Sequence, residues 1–342
     1  MTALSDRKNQ ILSSVINMYI KNGEPVGSKS LITATGMNCS SATVRNELNE
    51  LDSLGYLLQP HTSAGRIPSE KGYRYYVDNL MVTRELDEFT KMAIDSRLLT
   101  AAGDPEKLIN TARELLADIT KCACVTTTPV GVMNLIRKIE IVPVSVHSAM
   151  MVLLTSNGIL KSRLCRIDNG IDAQILDKFY NIVKTYFIGQ PASEISQASI
   201  QTVAASVNED YFAMLPLLAA VSDLAGSITD SRFVLGGSSN LITVRDYGEN
   251  VISLLEFLKR KEPIVEVINS SKEPFSIKIG SENMYRQLFY SSVIISKYKV
   301  RDDDSGTLSI IGPTRMDYET VIPGVRYLSD MVGKMITSAL DE

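Results

Sequence analysis

Arg45, Asn46 and Asn49 stand close together in the run Ser40-Ser41-Ala42-Thr43-Val44-Arg45-Asn46-Glu47-Leu48-Asn49. Their side chains suit the edges of nucleic-acid bases: an Arg fork can bond guanine O6 and N7, and an Asn amide adenine N6 and N7, each bidentately. Apolar Val44, Leu48 and Leu51 recur at helical spacing and predict an inward stripe, with Ser40 as N-cap. Ala42, Asn46 and Asn49 then share the opposite face, flanked by Arg45, in place of the Glu and Lys mixture of an ordinary solvated helix. Short, hydrogen-bonding side chains of this kind can enter a major groove. Thr43, Arg45, Asn46 and Asn49 are therefore the candidate base contacts.

The surrounding elements must hold that helix. After Gly55, Tyr56-Leu57-Leu58 reads as a short strand, His61-Thr62-Ser63-Ala64-Gly65-Arg66 as a small-residue tip, and Ile67-Pro68 as the return. Such a wing lays cations and hydroxyls along phosphates or into the minor groove. Ser28, Lys29, Ser40, His61, Thr62 and Arg66 are the candidate phosphate or wing contacts, which position without specifying. A first helix carries Ile11, Leu12, Val15, Ile16 and Tyr19 and stops at Gly23 and Pro25; a second starts at Ser28, buries Leu31 and Ile32 and ends by Gly36. Three helices and a hairpin predict a winged helix-turn-helix over residues 1–82. The alternative is three core-packing helices of another small domain with a solvated polar face, and the wing argues against it. From Ser69 a further helix puts Tyr73, Tyr76, Val77 and Leu80 on a core-like face. Lys71 and Arg74 lie off that face, where they can touch phosphate or simply be solvated.

These residues resemble the HrcA family of heat-inducible transcription repressors. The match lies in Gly23-Glu24-Pro25-Val26-Gly27-Ser28, Ala42-Thr43-Val44-Arg45-Asn46 and Gln59-Pro60-His61-Thr62-Ser63-Ala64-Gly65-Arg66-Ile67-Pro68. Near the other end it continues in Gly280-Ser281-Glu282-Asn283 and Ile310-Ile311-Gly312-Pro313-Thr314-Arg315-Met316-Asp317-Tyr318. Ser41 stands where relatives carry Pro at the first helical position, a change that alters only the preorganisation of the helix start. The resemblance implies a homodimeric repressor of heat-shock chaperone operons that binds double-stranded DNA at a CIRCE-type inverted repeat and is kept active by a GroE-type chaperonin. It also implies a GAF-like body interrupted by an inserted dimerising domain.

Composition bounds the answer independently. At 342 residues and 44% hydrophobic the chain can form two or three domains, each with its own core. Its densest apolar run, Ala149 to Leu154, is far too short for a membrane span, and the polar N-terminus lacks a signal-peptide core, so a cytoplasmic protein is expected. Four cysteines fit a reducing compartment, without disulfides. Cys122 and Cys124, with only His61 and His147 to supply imidazole, do not make a zinc site; they read as small buried residues closing a helix that starts at Asp104-Pro105. The formal charge is −4, yet residues 1–80 hold eight Lys/Arg against seven Asp/Glu, a surplus of one. Such a head binds DNA through a few clustered cations and with a modest salt dependence. Gly236-Gly237-Ser238-Ser239 lacks phosphate-loop spacing. In Thr314 to Tyr318, Asp317 reads as the N-cap of a short helix and Arg315 as the partner of a carboxylate or carbonyl. No enzyme, cofactor or metal is expected. The competing reading is a regulator that senses a small molecule in the GAF-like domain, although no side-chain cluster marks a pocket.

The rest of the chain reads as α+β. A charged amphipathic stretch from about residue 83 to Leu99 predicts a connecting helix, and residues 83–167 comprise connecting helices and the first part of the GAF-like domain. Ile139 to Val144, Ala149 to Leu154 and Ile159 to Ile167 predict strands, as do Phe275 to Ile279, Ser292 to Val300 and Thr307 to Ile311. Tight connections argue for one antiparallel sheet, covered by a helix from Pro323 onward. Ile171 to Phe187 and Ser196 to Leu224 are helical in pattern, which on the resemblance places the inserted dimerisation domain at 168–247 and the second part of the GAF-like domain at 248–342. Tyr211, Phe212, Met214, Leu215, Leu217 and Leu218 are core or dimer interface, and the family resemblance favours the interface.

Overall fold

The computed structural model describes residues 4–61, 64–82, 84–128, 134–156, 158–167, 173–205, 211–229, 233–301 and 304–341. The head begins with α1 (Asp6–Asn22), capped by Ser5 and ended by Gly23 in the left-handed region at φ 70°. It continues through α2 (Ser28–Thr35) and α3 (Ser41–Ser53), whose Val44, Leu48 and Leu51 are buried as their spacing requires. Strands β1 (Leu57–Leu58) and β2 (Ile67–Pro68) pair antiparallel and close the wing. Helix α4 (Glu70–Tyr75) runs on into a single π turn at residues 76–80. This is the expected winged helix-turn-helix.

The connecting helix starts later than its charge pattern suggests. Helix α5 (Glu88–Leu99) is capped by Asp87, whose carboxylate accepts from the Thr90 amide at 2.9 Å, and the local cap overrides the charge pattern upstream. Residue 83 lies outside the described residues. Helix α6 (Pro105–Thr120) begins with Pro after an Asp104 cap and buries Leu108, Ala112, Leu115 and Leu116.

Two larger sheets form where one was expected. The five-stranded sheet has the order β7 (Phe233–Gly236), β3 (Ala123–Thr127), β10 (Asp304–Pro313), β9 (Ser291–Arg301), β8 (Phe275–Ile279), with every pair antiparallel. Strands β4 (Ile136–Ser145), β5 (Ser148–Thr155) and β6 (Leu160–Arg166) make a separate antiparallel sheet. Ile139, Met151 and Leu153 alternate onto one face of it and need an apolar partner. Helices α7 (Ala173–Ile182), α8 (Gln197–Ala205) and α9 (Tyr211–Thr229) supply that partner, and their Phe179, Leu217 and Val221 share a core with the three strands. The strands of residues 136–166 therefore pack with the helices after them and not with the other sheet.

Helices α10 (Asn250–Leu258) and α11 (Lys261–Asn269) cover one face of the five-stranded sheet through Leu254, Phe257 and Ile264. The other face carries α6 and α12 (Tyr318–Asp341). Helix α12 begins at Tyr318 and not at Pro323, because Asp317 caps it, accepting from the Thr320 amide at 3.4 Å. Pro323 falls inside the helix, where it removes only the bond to the Glu319 carbonyl. Asp317 is thus the cap of a long helix and not of a short one. Among the described residues no helix is long and apolar enough to cross a membrane.

The largest core does not stop at the edge of the head. It runs from Ile11, Leu51 and Tyr76 through Leu108 and Leu116 to Ile294, Leu308, Val325 and Val332. At the seam Gly280 sits at φ +56°, and a Cβ there would lie 2.2 Å from Cδ of Glu70 in the head. Gly280→Ala brings left-handed strain and displaces the Glu70 carboxylate from Ser281, and is expected to cost about 1–2 kcal/mol of unfolding free energy. Chemical denaturation checks this, and wild-type stability in the variant would contradict the close seat of head on body.

Candidate nucleic-acid interface

A cleft of about 750 Å³ opens between α2, the outer face of α3 and the wing. Ser28, Lys29, Ala42, Arg45, Asn46, Asn49, Gln59, Gly65 and Arg66 are among its lining residues. Local chemistry sets its walls. The Ser28 and Ser41 hydroxyls bond each other at 2.9 Å and tie the N-termini of α2 and α3 together. The wing is stitched to the α1–α2 turn by two backbone bonds of 2.9 Å, Val26 N–H to Arg66 O and Arg66 N–H to Val26 O. Gly65 permits this stitch, since a Cβ would lie 2.5 Å from the Val26 carbonyl. The Gln59 amide donates to Ala64 O at 3.2 Å across the wing.

Ala42, Asn46 and Asn49 share one face of α3, as the pattern predicts, and are exposed with Arg45. Neither Arg45 nor Asn46 has a side-chain partner among the described residues, and the Lys29 ammonium beside them is equally uncommitted. The cleft therefore presents a guanidinium, an ammonium and an intact amide. This is a set that can bond phosphates and base edges together.

Other expected contacts lie elsewhere. Ser40 spends its hydroxyl as the N-cap of α3, accepting from the Thr43 amide at 3.1 Å, and its Oγ bonds Thr43 Oγ1 at 2.9 Å. Ser40 and the half-buried Thr43 are therefore occupied with each other, off the cleft wall. His61 is exposed on the wing but does not line the cleft, and Thr62 lies outside the described residues. Lys71 donates to the Leu54 carbonyl at 2.7 Å and rests 4.4 Å above the Tyr56 ring, so it terminates α3. Arg66 is in the cleft but paired: its Nη2 donates to Asn49 Oδ1 at 2.8 Å, and its Nε lies 2.9 Å from Asp52 Oδ2.

Arg74 faces the body. Its Nε donates to Glu282 Oε1 at 2.8 Å, its Nη2 to Glu282 Oε2 and to Ile277 O at 2.7 Å, and its Nη1 to Asp78 at 3.2 Å. Glu70 accepts from the amide and hydroxyl of Ser281. The Tyr76 hydroxyl lies 2.7 Å from Asn17 Oδ1 and 2.6 Å from Glu319 Oε1. Arg315 pairs with Asp246 at 2.6 Å and donates to Ile20 O of the head at 3.2 Å, so it takes a carboxylate and a carbonyl alike. The C-terminal signature residues thus form the seat on which the head rests. In sequence they offered only a polar run near two glycines, with nothing to point them at residues 20–76.

The other suspected chemistry is structural. Gly237 turns at φ +64° against the α6–β3 connection, where a Cβ would lie 2.6 Å from Cys122 O. Cys122 and Cys124 are buried at the start of β3, and burial pushes the Cys122 thiol up to about 11. No group of three or more potential metal ligands occurs among the described residues.

A family model for the winged helix-turn-helix DNA-binding region of the transcription repressor HrcA matches residues 3–79, the segment that carries the cleft. A second, for the HrcA C-terminal domain, matches residues 106–322. The chain belongs to the HrcA family. A heat-inducible transcription repressor HrcA from Acetivibrio thermocellus is 35% identical over 331 residues, covering 95% of this chain and 94% of its own. The HrcA of Brevibacillus brevis is 31% identical over 99% of this chain and 100% of its own. A crystal structure described only as a hypothetical protein superposes with a TM-score of 0.73 at 24% identity, covering 98% of this chain and 100% of that one, a likeness of fold. HrcA is a family of DNA-binding transcription repressors and not of enzymes.

In this member the seat should depend on pH. Burial pushes the Glu282 carboxyl up, but hydrogen bonds from Arg74 and the Ile279 amide outweigh it and hold the group below its usual value of 4.5. A depressed carboxylate stabilises the fold above its unfolded pKa, and that contribution is lost as pH falls through the folded value. Glu282→Gln is expected to cost on the order of 1 kcal/mol at pH 7, a figure reduced for the partial exposure of the pair, and to flatten the fall in stability between about pH 5 and 3. Melting curves across that range test it, and parallel curves for the two proteins would refute the assignment.

Proposed function

We propose that the chain acts as a homodimer in the cytoplasm, reads an inverted-repeat operator of the CIRCE type ahead of heat-shock chaperone operons, and represses by occupying it. The observation that carries the reading is the cleft in which uncommitted Arg45, Asn46 and Lys29 meet. In the duplex Arg45 and Asn46 bond base edges, while Lys29 and Ser28 hold phosphate. Two heads meet half-sites about 34 Å apart, or a multiple of it, on one face of the DNA.

The five-stranded sheet with helices on both faces supports a GAF-like body, and the separate core of β4–β6 with α7–α9 supports an inserted unit. We draw that unit between β3 and β7, which are neighbours in the body sheet, in place of limits at 168 and 247. The dimer contact assigned to its helix needs revision. Met214, Leu217 and Leu218 are buried in this unit's own core and have no surface to offer; Leu215 is half-buried, and the side chains of Tyr211 and Phe212 lie outside the described residues. The outer face of the three-stranded sheet is the better contact for a second copy. Val142 and Leu164 flank Met150 in register there, with Leu160 on the same face, and all three flanking residues are more than half exposed. Leu164→Asp is expected to shift the chain from dimer to monomer in sedimentation analysis; an unchanged dimer would remove this face from the interface.

A chaperonin of the GroE type is the proposed modulator. Strand β3 pairs with β10 across the whole inserted unit, Thr127 opposite Thr307, and such non-local pairing folds slowly with apolar surface exposed. Binding of the full chain to an inverted-repeat chaperone operator and to a scrambled duplex, with and without chaperonin and ATP, tests the whole reading. Operator-selective binding that improves with chaperonin supports it, and equal weak binding to both duplexes overturns it. Within that assay Asn46→Ala should relax preference at one base pair by about 1–3 kcal/mol. Equal loss on operator and scrambled DNA would exclude base reading by Asn46.

A further inference from the structure

We propose that Arg66 is a positioning residue that sets the amide of Asn49 for reading an acceptor on a base edge, and that it is not a phosphate contact. The inference rests on the DNA-reading proposal above. A guanidinium has only donors, so the atom of Asn49 that faces it is Oδ1, and the Arg66 Nη2 to Asn49 Oδ1 bond of 2.8 Å fixes the amide's sense. The free end of the amide is then Nδ2, which has no partner among the described residues, on a residue that is exposed and lines the cleft. An Nδ2 so presented suits guanine O6 or N7, adenine N7 or thymine O4. Meanwhile the Arg66 charge is matched by Asp52 at 2.9 Å, with the Arg66 side chain only 13% exposed. The guanidinium is held from behind as well, since the Val26 stitch fixes the Arg66 backbone and the bare Gly65 lets the two segments touch. Asn49 and Asp52 are three residues apart on one helix face, so one guanidinium reaches both, hydrogen-bonded to Asn49 and ion-paired with Asp52, and ties the wing to α3.

The test uses the full chain and a duplex selected by the wild-type protein from an inverted-repeat library, with single-base variants measured across a salt series. Arg66→Gln is expected to lower discrimination at one base pair at least five-fold while leaving the slope of log K against log salt unchanged. Arg66→Lys keeps the charge but cannot hold Asn49 and Asp52 at once, so it should not recover that discrimination, whereas a phosphate contact would be largely restored by it. Asn49→Asp keeps the acceptor for Arg66 but turns the free end into an oxygen, so it should lose discrimination at the same base pair and move toward bases that offer an amino group there. An Arg66→Gln slope shallower by about 0.9 per head, about 1.8 for two heads on an inverted repeat, with equal loss on all sequences, would make Arg66 a phosphate contact and overturn the inference. Should Arg66→Gln fail to fold, the Asn49→Asp arm decides, and unchanged preference there is equally fatal. Wild-type protein that selects no sequence would overturn the DNA-reading proposal itself.

Discussion

The seat of the N-terminal head on the body is the contact on which the rest of the structure depends. It has an apolar part, the unbroken core from Ile11 to Ile336, and a polar part, in which Arg74 is gripped by Glu282 and the Ile277 carbonyl. The two parts do different work. Burial of Tyr73 and Tyr76 holds the surfaces together without direction, whereas the planar Arg74 fork admits one orientation of α4 over β8. Gly280 leaves room for the Glu70 carboxylate to reach Ser281, because a side chain there would displace it. A head seated in this way is an oriented part of the molecule and not a tethered one.

That arrangement explains which parts of the fold were legible in the sequence. The recognition helix was readable because its apolar stripe, its Ser40 cap and its polar face all lie within one short run. The wing was readable from Gly65 and Pro68 flanking a small-residue tip. Residues that act across the seam were not. Arg74 looked like a cation with phosphate in reach, and only its partner Glu282, far along the chain, reveals its task. Lys71 was misread for a similar reason: its partners are the Leu54 carbonyl at the end of α3 and the Tyr56 ring, which come near only when the wing folds back. The pairing of Arg66 with Asn49 is the closest such case, for both residues were candidates and only their mutual bond was hidden.

The β-strands show the same limit at a larger scale. Runs of apolar and β-branched residues located β4, β5, β6, β8, β9 and β10, and only β5 alternates cleanly between buried and half-buried positions. Such runs cannot say which strands are neighbours. Strand β3, five residues just after α6, was passed over because Cys122 and Cys124 read as the end of that helix, yet it is the link that joins β7 to β10. Missing it merged two sheets into one. Asp317 was read as an N-cap, but its helix was read as short because Pro323 looked like the start of the next one.

The cations of the head are mostly consumed internally, and this bears on how it could hold DNA. Lys8 bridges Glu47 and Glu50, Arg66 pairs with Asp52, Lys71 terminates α3, and Arg74 faces the body. Lys29 and Arg45 remain uncommitted in the cleft. Each phosphate neutralised contributes about 0.9 to the salt slope, so one head of this kind gains little from counterion release and binds weakly without a matching sequence. On the homodimer reading, the remainder comes from joining two heads. The gain from joining is large when the linked sites fit the spacing and vanishes when they do not. Because each head is clamped by Glu282 and embedded in the body's core, the spacing is a property of the body. Whatever alters the packing of the body alters operator affinity without touching a residue of the cleft, which makes a folding-dependent repressor physically coherent.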